Sequence, residues 1–129
     1  MYNLDDLQYA KKFNIKIGER RAGQIYYILN KALLLLNFNI TSKGFNYWIE
    51  AILIYRKNRN KYNNTIEEVY REVAKGNNTT RTRVERAMRT ARLNANDEIK
   101  KAFNYNSKLT NKIVLELLTN NFFIMNKEE

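Results

Sequence analysis

The chain has no cysteine, no histidine and no proline, and only four glycines among its 129 residues. Without cysteine there is no disulfide, no thiol nucleophile and no thiolate-bound zinc, which fits a reducing compartment and a core that holds without covalent cross-links. Without histidine there is no imidazole for a general base, a Ser-His-Asp triad or a histidine-ligated zinc site. Most enzyme classes fall with it, so no catalytic residue, metal or cofactor is expected. Without proline nothing interrupts long helices. Long apolar runs are missing too: Ala32 to Leu36, the most apolar stretch, is five residues between Lys31 and Asn37, against the ~20 that a membrane-spanning helix needs. The beginning, Met1-Tyr2-Asn3-Leu4-Asp5-Asp6, is acidic where a secretion signal would be basic. The expectation is a cytoplasmic, nucleoid-associated protein with no membrane contact.

What the chain has in excess is positive charge, 23 Lys and Arg against 13 Asp and Glu, a formal +10. With no histidine this balance hardly changes between about pH 5 and 8. It implies either a polyanionic partner or a solvated basic surface, and the placement of the charge decides between them. The length suits a single core, and no repeat or Pro/Gly/Ser linker marks a second domain.

Apolar spacing is helical almost throughout and predicts an all-α, compact bundle of about six helices. Leu4 to Phe13 reads as a short helix, and Ile15 to Ile17 as an extended piece before Gly18. A core helix from Ala22 to about Phe38 places Ile25, Ile28, Leu29, Ala32 and Leu36 on one stripe. After a polar connection, Phe45, Trp48, Ile49, Ile52 and Tyr55 recur at helical spacing up to Arg56-Lys57-Asn58-Arg59, whose cations suit a helix C-terminus. Thr65-Ile66-Glu67-Glu68 reads as a capping box, with Thr65 accepting from the amide three residues on and Glu68 reaching back. The helix it opens carries Ile66, Val69, Tyr70 and Val73 inward and ends at Gly76, taken as a left-handed terminator before an Asn77-Asn78 turn. A further helix begins at Thr79 or Thr80 and buries Val84, Ala87, Met88 and Ala91. A short helix over Asp97 to Phe103 turns Ile99, Ala102 and Phe103 inward. The last, Leu109 to about Phe122, uses Ile113, Val114, Leu117 and Leu118, and Met125 to Glu129 is expected to fray.

The segment richest in chemistry is Thr79-Thr80-Arg81-Thr82-Arg83-Val84-Glu85-Arg86-Ala87-Met88-Arg89-Thr90-Ala91-Arg92. At ~100° per residue, the Val84/Ala87/Met88/Ala91 stripe falls on one side and Thr82, Arg86 and Arg89 on the other, with Arg83 and Glu85 at the flanks. A solvated helix face usually mixes signs to gain i,i+4 pairs; here five arginines face one glutamate, a self-repulsive set unless a polyanion lies against it. Arginine's planar fork can grip guanine O6 and N7 or a phosphate, and a glutamate can accept from cytosine N4. Together with the capped helix before it, the segment has the layout of a helix-turn-helix at about residues 65–94, in which the second helix enters the major groove. The base-reading candidates are Thr82, Arg83, Glu85, Arg86 and Arg89; the phosphate candidates are Thr79, Thr80, Arg81, Arg92, Arg56, Lys57 and Arg59.

Other clusters are less directive. Arg56, Lys57, Arg59 and Lys61 are either phosphate contacts or solubilising surface, and Lys11, Lys12, Lys16, Arg20 and Arg21 either an arm on DNA or solvated. Tyr26, Tyr27, Tyr47, Tyr55, Tyr62 and Tyr70 are at spacings that suit core or rim better than base stacking. The acidic pairs Asp5-Asp6 and Glu67-Glu68 serve helix starts better than a metal, since adjacent helical carboxylates point ~100° apart.

Lys43-Gly44-Phe45-Asn46-Tyr47-Trp48-Ile49-Glu50-Ala51-Ile52, then Val73-Ala74-Lys75, then Thr79-Thr80 through Arg83-Val84-Glu85-Arg86-Ala87-Met88-Arg89, resemble the C-terminal DNA-binding domain of the sporulation master response regulator, stage zero sporulation protein A, of endospore-forming Firmicutes. The likeness runs without a gap from Lys43 to about Arg92. It implies a six-helix domain whose fourth helix reads a short GC-containing promoter box, often as head-to-tail copies. Thr82 falls where the family commonly has Ser, Arg83, Glu85, Arg86 and Arg89 fall on its groove- and phosphate-facing positions, and Arg81 stands where it has a small residue. The residues before Ala22 are too few for the family's receiver domain, so phosphorylation-independent control is expected. Between Arg92 and Leu109 the chain looks shorter than the family, in the region that implies contact with the polymerase sigma subunit and a neighbouring copy.

The resulting expectation is a non-enzymatic, sequence-specific regulator of transcription on double-stranded DNA. Residues 22–129 would be the helical DNA-binding domain and 1–21 an N-terminal extension, whether a short helix, an arm or a dimerisation element. The alternatives are a plasmid or phage accessory protein for replication, partition or transfer, and an interaction module that mimics the sporulation regulator's domain.

Overall fold

The computed structural model describes residues 21–58 and 64–126, with side chains at the two outer ends, 21–26 and 122–126, left aside. Among these residues there are six α-helices and no strand: α1 (Arg21–Leu35), α2 (Lys43–Lys57), α3 (Ile66–Gly76), α4 (Arg81–Leu93), α5 (Asn96–Phe103) and α6 (Asn111–Asn126). The expected helix at Leu4 to Phe13, the extended Ile15 to Ile17, the inward Ile25 and the fraying of residues 127–129 lie outside the described residues.

The core is one cluster with α2 at its centre, packed on α1, α3, α4 and α6. Trp48, Ile49 and Ile52 of α2 are fully buried, together with Leu33 and Leu36 from the α1 side, Val84 and Met88 of α4, and Leu118 of α6. Close approach of α2 to α4 depends on Gly44: a Cβ there would lie 2.0 Å from the Ala87 carbonyl oxygen and 2.8 Å from the Ala91 Cβ. One turn on, the Trp48 indole Nε1 donates to the Met88 carbonyl at 2.8 Å, so a buried aromatic is both packed and hydrogen-bonded to the α4 backbone. The Asn39 amide, donating to the Ala91 carbonyl at 3.1 Å, ties the α1–α2 connection to the same helix.

Asparagines, not glycines, take the left-handed positions after these helices. α1 ends earlier than the stripe to Phe38 implies, because Asn37 turns left-handed at φ 72° and Phe38 donates back to the Leu33 carbonyl at 3.0 Å. Phe38 is thereby folded into the core, edge-on to Trp48 with ring centroids 5.6 Å apart. Gly76 is not the left-handed residue after α3: it is the helix's last residue, Asn77 caps it at φ −115°, and Asn78 takes φ 54°. Thr65 does cap α3, accepting from the Glu68 amide at 3.2 Å, but the reciprocal half of the capping box is replaced by a Glu68–Arg71 ion pair at 2.6 Å. Three smaller expectations are also corrected. Ala102 is exposed, because the inward line is Ala95 ahead of α5, buried Ile99 and half-buried Phe103 at intervals of four, which leaves position 102 outside. Met125 continues α6 instead of fraying, and Leu109 is buried ahead of the helix, whose first turn is capped by Thr110 accepting from the Ile113 amide at 3.2 Å.

Candidate nucleic-acid interface

α3 and α4 are joined by a four-residue turn, residues 77–80, held by backbone bonds, Asn77 N–H to the Val73 carbonyl at 3.1 Å and Thr79 N–H to the Ala74 carbonyl at 3.0 Å. Asn77 also donates through its side chain to Glu50 of α2 at 2.7 Å and to the Val73 carbonyl at 2.8 Å, which anchors the turn on α2. Thr80 then caps α4, its hydroxyl oxygen accepting from the Arg83 amide at 3.2 Å. Val84, Met88 and Ala91 form the buried stripe. The opposite side, Thr82, Arg83, Arg86, Arg89 and Thr90, is exposed.

Arg86 stands at the middle of that exposed side and Arg83 at its flank, and neither guanidinium has an ion-pair or hydrogen-bond partner among the described residues. Arg89 Nη1 is 3.1 Å from Glu85 Oε2, an i,i+4 pair on the flank that turns toward α6; the arginine side chain stays half exposed, whereas Glu85 keeps only 22% of its side chain exposed. Glu85 thus stands at the rim of the face. Thr90, four residues after Arg86 and eight after Thr82, shares the face and was passed over in the sequence, although its spacing alone places it there.

The five arginines of this segment do not act alike. Arg92, expected on phosphate, is turned inward: it is 6% exposed, its Nε donates to Asn111 Oδ1 at 2.7 Å and its Nη1 to Asn96 Oδ1 at 3.0 Å. The reason is phase, since position 92 follows Val84 and Met88 at intervals of four and so falls on the buried stripe. Burial lowers the Arg92 pKa from its ordinary value. Asn111 itself is buried and donates to the Tyr70 hydroxyl at 3.1 Å and the Glu85 carbonyl at 3.3 Å, so one polar hub joins α3, α4, α5 and α6. No sequence pattern marked Asn111. Arg81, also expected on phosphate, has its fork on Glu67 of α3, with Nε to Oε1 and Nη2 to Oε2 both at 2.7 Å, and its Cζ lies 5.0 Å from the Tyr70 ring centroid. That fork holds the Glu67 carboxyl below its ordinary value and raises the guanidinium's own. Tyr70 is pushed up from its ordinary value by burial.

Beside the exposed face an open cleft of ≈ 420 Å³ lies between α3, α4 and the start of α6, edged by Glu67, Arg81, Arg89, Lys108 and Lys112. Lys108 and Lys112 add cations that the sequence reading did not include. Thr79 is half-buried in the turn and Thr80 exposed at the cap. Arg56 and Lys57 are exposed in the last turn of α2, at the opposite end of that helix from the Gly44–Ala87 contact, ~20 Å along its axis. The structure does not bring them beside Arg86, and Arg59 lies outside the described residues. Tyr47 and Tyr70 are core residues and present no stacking face. Among the described residues no cluster of acidic side chains is suited to a metal ion, and no helix is long and apolar enough to cross a membrane.

Two short helices at a tight turn, the second apolar behind and arginine-rich in front, define the class: a helix-turn-helix DNA-binding domain in an all-α bundle. The family model described as Sporulation initiation factor Spo0A C terminal matches residues 29–122. The chain belongs to this family of DNA-binding effector domains. No curated protein and no solved structure matches it.

Proposed function

We propose that the protein is a sequence-specific regulator of transcription that seats α4 in the major groove of double-stranded DNA. Arg83 and Arg86 read base edges, Thr82, Arg89 and Thr90 border them, and Glu85 stands at the rim of the site. Thr79, Thr80, Arg56 and Lys57 meet phosphates, with Arg59 continuing that basic run. Arg92 has no part in the contact, because its guanidinium is spent inside the protein. Residues 22–129 are the binding unit and 1–21 an extension to it. A second copy on an adjacent box and the sigma subunit of RNA polymerase are the partners that the family resemblance implies.

The observation that carries this reading is the pair Arg83 and Arg86, outward and without partners among the described residues on a helix whose back is fixed in the core. Two exposed guanidiniums on one face repel each other only weakly in water, but together they offer the charge and the hydrogen-bond forks that an anionic, acceptor-bearing groove edge would meet. A face already formed within this domain supports binding that does not wait on phosphorylation. Selection of bound duplexes from a random pool, followed by a footprint, tests it. One enriched short motif with major-groove protection is expected, and enrichment of no motif would overturn the reading.

A further inference from the structure

α4 is held to the rest of the molecule near both ends. Near its C-terminus the anchors are the Arg92–Asn111 hub and the Trp48–Met88 bond. At its N-terminus the one side-chain tie to α3 that we find among the described residues is Arg81 on Glu67, with both carboxylate oxygens engaged and the guanidinium laid against Tyr70. Tyr70 is itself fixed, buried at 4% exposure and hydrogen-bonded to Asn111. The two ends of α4 are therefore linked through one chain of contacts, Glu67–Arg81–Tyr70–Asn111–Arg92.

We propose that Glu67 and Arg81 are positioning residues that set the tilt of α4 against α3, and that discrimination between DNA sequences, not adhesion to DNA, depends on them. The proposal rests on the reading of α4 as the major-groove helix. From Arg81 to Met88, the nearer of those anchors, the helix rises ~10 Å, so a rock of about 5° about it displaces the first turn by ~0.9 Å. A bidentate contact to a base edge tolerates ~0.5 Å. Loss of the tie thus degrades base reading in the first turn, at Arg83 and its neighbour Thr82, while leaving the cations on the surface.

Charge and exposure agree with a positioning role. The pair is neutral as a unit, and with its Nε–Nη2 edge on Glu67 the Arg81 guanidinium keeps only its outer Nη1–Nη2 edge for any other acceptor. Arg81 and Glu67 keep 38% and 47% of their side chains exposed, and a pair so exposed contributes little to global stability. What a bidentate fork backed by an aromatic ring supplies is direction, which lysine cannot replace.

The test compares wild type with Glu67→Gln and Arg81→Lys on the selected duplex and on a scrambled duplex, over a range of salt, with thermal unfolding followed in parallel. Both variants are expected to lose roughly tenfold on the selected site, with affinity for the scrambled duplex, the salt slope and the unfolding midpoint nearly unchanged. Arg81→Ala, measured alongside, would make Arg81 a phosphate contact and overturn the clamp if it lost equally on both duplexes with a salt slope reduced by about one. Tighter binding of Glu67→Gln to every duplex would overturn it as well, since Glu67 would then merely repel DNA. A wild type that binds both duplexes alike overturns the function proposed above, whereas undiminished discrimination by Glu67→Gln overturns the clamp alone.

Discussion

Arg83, Arg86 and Arg92 sit on one helix within three turns, yet two face solvent without partners and the third is buried in a hydrogen-bonded hub. Side-chain chemistry is the same in each case; helical phase separates them. The consequence for binding is specific to each residue. Arg86→Ala is expected to cost ~1–3 kcal/mol on the preferred duplex and to relax sequence choice at one position. Lys57→Ala, by contrast, would remove a proposed phosphate contact, so it should weaken all duplexes alike and lower the salt slope by about one. Fluorescence anisotropy on matched and scrambled duplexes over a salt series separates the two, and equal losses for Arg86→Ala on both duplexes would count against base reading.

At the scale of the element, α4 is placed by what lies behind it. The α2–α4 crossing is so close at Gly44 that an added methyl would meet the backbone of Ala87, which has no rotamer with which to yield. Gly44→Ala is therefore expected to push the helices apart, weaken the Trp48–Met88 bond and cost about 3 kcal/mol of stability, as overpacking of a dense core does. Urea unfolding measures it, and a change below ~0.5 kcal/mol would mean that the crossing is softer than its geometry implies. The same variant should lose DNA affinity, because moving α4 moves its whole exposed face.

For the whole molecule, the missing histidine sets the pH response. Between about pH 5.5 and 9 no side chain with an ordinary pKa titrates, so DNA affinity is expected to be level there. Glu67 is lowered from its ordinary 4.5, so its contribution is present above that value and is lost as pH falls through the lower folded pKa. That loss is small, because the pair is half exposed. Tyr70 is raised from its ordinary 10.0; the stability linked to it is present below 10.0 and lost as pH rises through the higher folded value. Unfolding midpoints against pH should show a plateau with an alkaline edge that Tyr70→Phe moves upward, and an unmoved edge would assign it to other groups.

The chain's own order of residues determined the all-α class, the capped start of α3 at Thr65, the turn before α4, and the arginine-rich face opposite Val84, Met88 and Ala91. These are local matters: a period of 3.6, a hydroxyl three residues before an amide, a gap in the apolar stripe. The tertiary structure alone decided which arginines are available. Arg81 was claimed by a carboxylate fourteen residues earlier and Arg92 by an asparagine nineteen residues later. Asn111 carries no pattern of its own, since a hydrogen bond between helices depends on how those helices pack and not on spacing along one of them.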